Sequence, residues 1–94
     1  MNKIKNPAID TFFEAILTLE NVDECYKFFS DVCTVKELES ISQRFTVAKM
    51  LTDKKVYSEI VAETGASTAT ISRVNRSLTY GADGYEMVFG RMGK

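Results

Sequence analysis

The chain has 94 residues, 45% hydrophobic and 27% charged, a balance that supports one small globular domain and excludes a disordered chain. Twelve Lys and Arg against thirteen Asp and Glu leave a net charge of -1, so no whole-chain positive field drives binding to nucleic acid and any basic surface has to be local. With no His and no Cys-x-x-Cys pair, the usual zinc sites and His-assisted nucleophiles are missing, and neither a metal nor a cofactor is expected.

Apolar residues recur at helical rather than alternating spacing and only one Pro occurs, so the pattern is all-α with six helices. Asn6 followed by Pro7 starts the first: the Asn side chain accepts an orphan N–H, and Pro sets φ where its missing N–H is harmless. Ile9, Phe12, Phe13, Ile16 and Leu17 then form one stripe. Asp10 and Glu14 interrupt this segment, which reads neither as a signal peptide nor as a membrane span, so a cytoplasmic protein without a membrane partner is expected. The second helix, Val22 to Val32, carries Val22, Cys25, Tyr26, Phe28, Phe29 and Val32, more apolar surface than one face can hide, and argues for a partner. In a helical reading Cys25 and Cys33 stand about 12 Å apart, beyond the roughly 7 Å that a disulfide spans, and are expected as buried thiols in a reducing compartment.

Thr34-Val35-Lys36-Glu37 has the capping-box form, so a third helix begins at Val35. Its expected stripe is Leu38, Ile41, Phe45, Ala48 and Leu51, and it ends near Asp53-Lys54-Lys55. The fourth helix, Tyr57 to Thr64, is stopped by Gly65. Ser67 caps a fifth helix from Thr68 to about Leu78. Tyr80 to Gly84 is a turn-rich break, and Tyr85, Val88, Phe89 and Met92 mark a short last helix.

Residues 57 to 78 therefore read as a short helix, a Gly-containing turn and a second helix, the helix-turn-helix arrangement. Ile60, Ala66, Ile71 and Val74 fall where two steeply crossing helices meet, and Val61 occupies a position where such helices usually hold a residue as small as Ala. The exposed face of the fifth helix is then Ser67, Thr68, Ala69, Thr70, Ser72, Arg73, Asn75 and Arg76. Small hydroxyl side chains allow close approach to bases and phosphates, the helix N-terminus favours anions, and arginines fork onto guanine or phosphate. The candidate DNA-binding residues are Ser67, Thr68, Ala69, Thr70, Ser72, Arg73 and Arg76, with Lys54 and Lys55 either as backbone clamps or as a solvated loop. Charge follows the same division: residues 1 to 42 hold four basic and eight acidic side chains, whereas residues 43 to 79 hold six basic and three acidic.

Residues 33 to 78 include C-T-V-K-E-L-E-S-I-S-Q-R-F and G-A-S-T-A-T-I-S-R-V-N-R-S-L, followed by T-Y-G-A-D-G-Y. In these motifs the chain resembles the Trp-repressor superfamily, specifically its YerC/YecD branch. The resemblance implies a single Trp-repressor-like DNA-binding domain over residues 1 to 94, a six-helix fold in which two chains interlock as a homodimer. The helix-turn-helix then spans 57 to 78 and the dimerisation helices lie mainly in 8 to 52 and 84 to 92. In the tryptophan-binding members two arginines sandwich the indole, and these correspond to Arg44 and Arg73; Thr34 and Ser77 match positions lining that pocket. The residue after the second arginine is Gly in those members and Val74 here, and three added carbon atoms occupy the ligand's space. A filled pocket is the simpler expectation. Tryptophan is thus not expected as corepressor, with a different small ligand as the alternative. Arg44 also reads as a helix-surface arginine paired with an acid or laid over an aromatic. The linker before Tyr57 aligns one residue shorter.

The expected function is a homodimeric, sequence-specific binder of double-stranded DNA at a near-palindromic operator, with two recognition helices about 34 Å apart. It is most simply a transcriptional repressor. The rival is a helix-turn-helix that docks on proteins, separated by salt dependence, because phosphate contacts weaken steeply as salt rises. No nucleophile and base pair up by spacing, so an enzyme is not expected.

Overall fold

A computed structural model describes residues 4–93. Among them it holds six α-helices and no strand: α1 (Pro7–Ile16), α2 (Val22–Val32), α3 (Val35–Thr52), α4 (Tyr57–Thr64), α5 (Thr68–Tyr80) and α6 (Gly84–Arg91). Local chemistry sets most of these limits. The Asn6 side chain accepts the Ile9 N–H at 2.9 Å, one of the donors that a helix start leaves without a helical partner. Asn21 does the same for Glu24 at 2.9 Å, while the Glu24 carboxylate accepts the Glu20 N–H at 2.9 Å, an arrangement that the Asn-x-x-Glu spacing allows. The fifth helix continues two residues beyond the expected Leu78, to Tyr80, so the break before α6 is shorter than predicted.

The chain divides into two compact units, one up to Val35 and the other from Lys36 onward. In the first, Phe12 sits 6.0 Å from Phe28 and 6.4 Å from Phe29 between ring centroids, and the two α2 rings meet edge to face at 5.5 Å. These rings tie α1 to α2, yet neither helix contains a fully buried residue. Phe13, Leu17, Val22 and Tyr26 are all more than half exposed. Cys25 is exposed too, and Cys33 half-buried, both as free thiols, so the expectation of buried thiols fails for Cys25. The physical reason is that two helices can cover each other on one side only, and α2 is apolar on more than one.

The second unit holds the core: Val47, Ala48, Met50, Ile60, Ala66, Ile71, Val74 and Phe89 are buried, with Phe45, Leu51, Leu78 and Tyr85 packed against them. The four predicted junction residues of the helix-turn-helix are all inside it. The stripe expected for α3 needs correction, because Ile41 is 48% exposed whereas Val47 and Met50 are buried. A single stripe describes a helix covered on one side; the C-terminal half of α3 is covered over a wider arc by residues of α4, α5 and α6. Only Phe89 of the α6 residues is buried; Val88 is 37% exposed, and Met92, just past the helix, 57%. No described helix is long and apolar enough to cross a membrane.

Candidate nucleic-acid interface

The site is built on the α4–α5 turn. Gly65 takes the left-handed conformation at φ 72°, which glycine adopts without the Cβ penalty other residues meet, and its N–H reaches back to the Val61 carbonyl at 2.9 Å. The Thr64 hydroxyl donates to the Ile60 carbonyl at 2.7 Å and accepts the Ala66 N–H at 3.1 Å, bracing the turn from inside. From α3, the Gln43 side-chain amide donates to the Thr64 carbonyl at 3.1 Å. Sequence reasoning did not single out Gln43; a glutamine on a helix carries no signal of its partner 21 residues away.

The Ser67 hydroxyl then accepts the Thr70 N–H and donates to the Thr70 hydroxyl, each at 3.1 Å, which caps α5 as predicted. This capping leaves the N–H groups of Thr68 and Ala69 at an exposed helix start without helical partners. At the start of α4, Val56 offers no side-chain acceptor, and Glu59 supplies the cap by accepting the Val56 N–H at 3.1 Å. Behind α5, Ile71 is fully buried and Val74 is 2% exposed, which fixes the rotation of the helix. Thr68, Ala69, Ser72, Arg73, Asn75 and Arg76 consequently face solvent.

The predicted residues thus share one outward surface with one exception. Thr70 is half-buried and bonded to Ser67, because it lies one position before Ile71 and turns partly with it toward the core. The Thr68, Ser72, Arg73 and Arg76 side chains make no hydrogen bond or ion pair with any described residue, so their donors are free for an external acceptor. Val61 is 37% exposed, and the valine is accommodated at the position where a smaller residue was expected. Lys54 closes α3 in the left-handed region at φ 67°, with its N–H on the Leu51 carbonyl and the Lys55 N–H on the Met50 carbonyl, both at 3.0 Å. Both lysines are exposed just ahead of α4.

The four candidate ligand residues are divided between the two units. Thr34 belongs to the first unit, and Arg44, Arg73 and Ser77 to the second. Arg44 donates to the Ser40 hydroxyl at 2.9 Å, one turn back on α3, instead of meeting the acid or aromatic ring anticipated for it. Ser77 lines an open, mainly apolar groove of about 470 Å³ together with Phe45, Ala82, Tyr85 and Met87; Arg44 and Arg73 do not line it. Val74 is part of the packed core.

Three comparisons bear on this arrangement. The family model for Trp repressor protein matches residues 7–93. The YerC protein of Bacillus subtilis (strain 168) is 49% identical over 92 residues, covering 98% of this chain and 88% of that protein. A crystal structure of a candidate Trp repressor from Staphylococcus aureus superposes with a TM-score of 0.94 at 55% identity, covering 98% of this chain and 92% of the other. A TrpR-like protein from Eubacterium eligens ATCC 27750 gives the same TM-score at 59% identity, covering 99% and 96%.

Proposed function

The chain belongs to the Trp repressor family, a family of DNA-binding regulators and not of enzymes, and from that premise we propose that it reads a near-palindromic DNA operator as a homodimer and represses transcription without tryptophan. One observation carries the reading: the exposed face of α5 presents Thr68, Ser72, Arg73 and Arg76 unpartnered, on a helix whose rotation is held from behind by Ile71 and Val74. Small side chains near the helix start let it approach the floor of a major groove, and the free N–H groups and guanidinium donors match phosphates and the guanine edge. Lys54 and Lys55 add phosphate contacts beside it. Ser67 and Thr70, whose hydroxyls are engaged with each other, serve chiefly to shape the helix start.

The dimer is supported by the first unit. Helices α1 and α2 leave Phe13, Leu17, Val22 and Tyr26 uncovered, and a second copy laid against residues 8 to 52 and 84 to 92 would bury them. Pairing of two α5 helices across a two-fold axis then demands two half-sites about 34 Å apart, which makes the operator near-palindromic. Independence from tryptophan is supported by Val74, which fills the core beside Arg73. Gating by a different small ligand is the second reading, favoured by the open groove at Ser77.

Selection of duplexes from a random-sequence pool tests the proposal, with wild type and the Arg73→Ala/Arg76→Ala variant run in parallel, each with and without tryptophan. A symmetric site enriched by wild type alone, equally in both conditions, is the expected result. Enrichment that requires tryptophan would overturn the corepressor-free reading. If no duplex is enriched under any condition, the helix-turn-helix acts on a protein or awaits another ligand.

A further inference from the structure

We infer that Gln43 is a positioning residue for the reading head: its amide fixes the α4–α5 turn to α3 and so sets the angle at which α5 is presented. The effect on DNA rests on the reading above; the effect on the turn does not.

Two kinds of contact join α3 to the helix-turn-helix. The first is apolar, from Val47, Ala48 and Met50 to the cluster around Ile60, Ala66, Ile71 and Val74. Such packing is strong but non-directional, and it resists separation better than it resists sliding or rotation. The second is the Gln43–Thr64 hydrogen bond, which is directional and joins two half-buried groups 21 residues apart. Its acceptor is a last-turn carbonyl of α4, a group that the helix itself leaves unsatisfied.

The neighbouring chemistry leaves this role to Gln43. The Thr64 hydroxyl is already engaged with Ile60 and Ala66 inside the turn. Gly65 follows at φ 72°, with no side chain to brace the turn against α3. The Thr64 carbonyl is therefore where an outside donor can lock the turn. Arg73 lies nine residues further on, so a small rotation at the turn becomes a displacement of the guanidinium large enough to spoil bidentate base contacts while leaving looser phosphate attraction intact.

The test uses Gln43→Leu, which keeps the volume and removes the donor, and Gln43→Glu, which keeps the shape and substitutes an acceptor. Expected for Gln43→Leu is a thermal midpoint near that of wild type, three- to tenfold weaker binding to the selected operator, and unchanged binding to random-sequence duplex. Gln43→Glu should lose at least as much at pH 7 and regain part of it relative to Gln43→Leu toward pH 5. There a half-buried carboxyl begins to hold a proton and becomes a donor again. Amide exchange measured on the same proteins without DNA should quicken at Gly65, Ala66 and Ser67 in Gln43→Leu while Ile71 and Val74 stay protected. Equal loss on both duplexes, or unaltered exchange at the turn, overturns the inference. If wild type discriminates no duplex, the DNA reading fails by itself, and the exchange pattern alone still decides whether Gln43 holds the turn.

Discussion

Replacing Val74 by Gly tests two claims at once, that this side chain belongs to the core and that it occupies the place of a ligand. Val74 is 2% exposed and clusters with Ile60, Ile71 and Val47, none of which has measurable exposure. Removing three buried carbons forfeits about 2.4 kcal/mol of transfer free energy at about 0.8 kcal/mol each. An unrelaxed cavity and the poorer helix propensity of Gly bring the total to roughly 3–5 kcal/mol. At about 4–8 °C per kcal/mol for a domain of this size, even the lower figure displaces the thermal midpoint by more than about 10 °C. Circular dichroism melts at one fixed protein concentration measure this, since association with a second chain makes the midpoint concentration-dependent. Wild type melted with and without millimolar tryptophan completes the experiment and should show no displacement. A loss below about 1 kcal/mol would refute the packing argument. A wild-type midpoint raised by several degrees in tryptophan would refute the filled pocket.

Arg73→Ala and Arg76→Ala should each weaken duplex binding by roughly tenfold while melting like wild type; where the lost contact was to phosphate, the slope of log affinity against log salt should fall by about one. Loss of folding in either variant would mean that the arginine is not on the free face. Phe12→Ala and Phe28→Ala should cost about 3–5 kcal/mol and shift the mass in light scattering toward a single chain if a second copy completes the burial of these half-buried rings. Unchanged mass and stability would remove the basis for an interlocked dimer. Gly65→Ala places a Cβ in open space but on a left-handed backbone, so the expected cost in a denaturant titration is only the conformational one, about 1 kcal/mol. A much larger loss would show that space, not φ, restricts that position.

Helix limits and the helix-turn-helix core were legible in the sequence because they depend on neighbours within a turn or two. Asn6, Ser67 and Gly65 act on backbone groups three or four residues away, so their residue types alone predict where α1, α4 and α5 begin or end. Ile60, Ala66, Ile71 and Val74 follow from helical spacing on two helices joined by a short turn, and all four are buried. The outward face of α5 then follows as the remainder, except at Thr70, where position on the helix wheel is intermediate.

The tertiary structure decided what depends on elements distant in sequence. Val47 and Met50 are buried because residues of α4, α5 and α6 converge on α3 from more than one side, which no single-helix pattern encodes. Cys25 is exposed because helix pairing in the first unit covers only part of an apolar surface that composition alone would have sent inside. Gln43 finds the Thr64 carbonyl only once two stretches 21 residues apart have folded together. Burial and long-range hydrogen bonds are set by which surfaces meet, whereas caps and periodicity are written into each segment before any surface meets another.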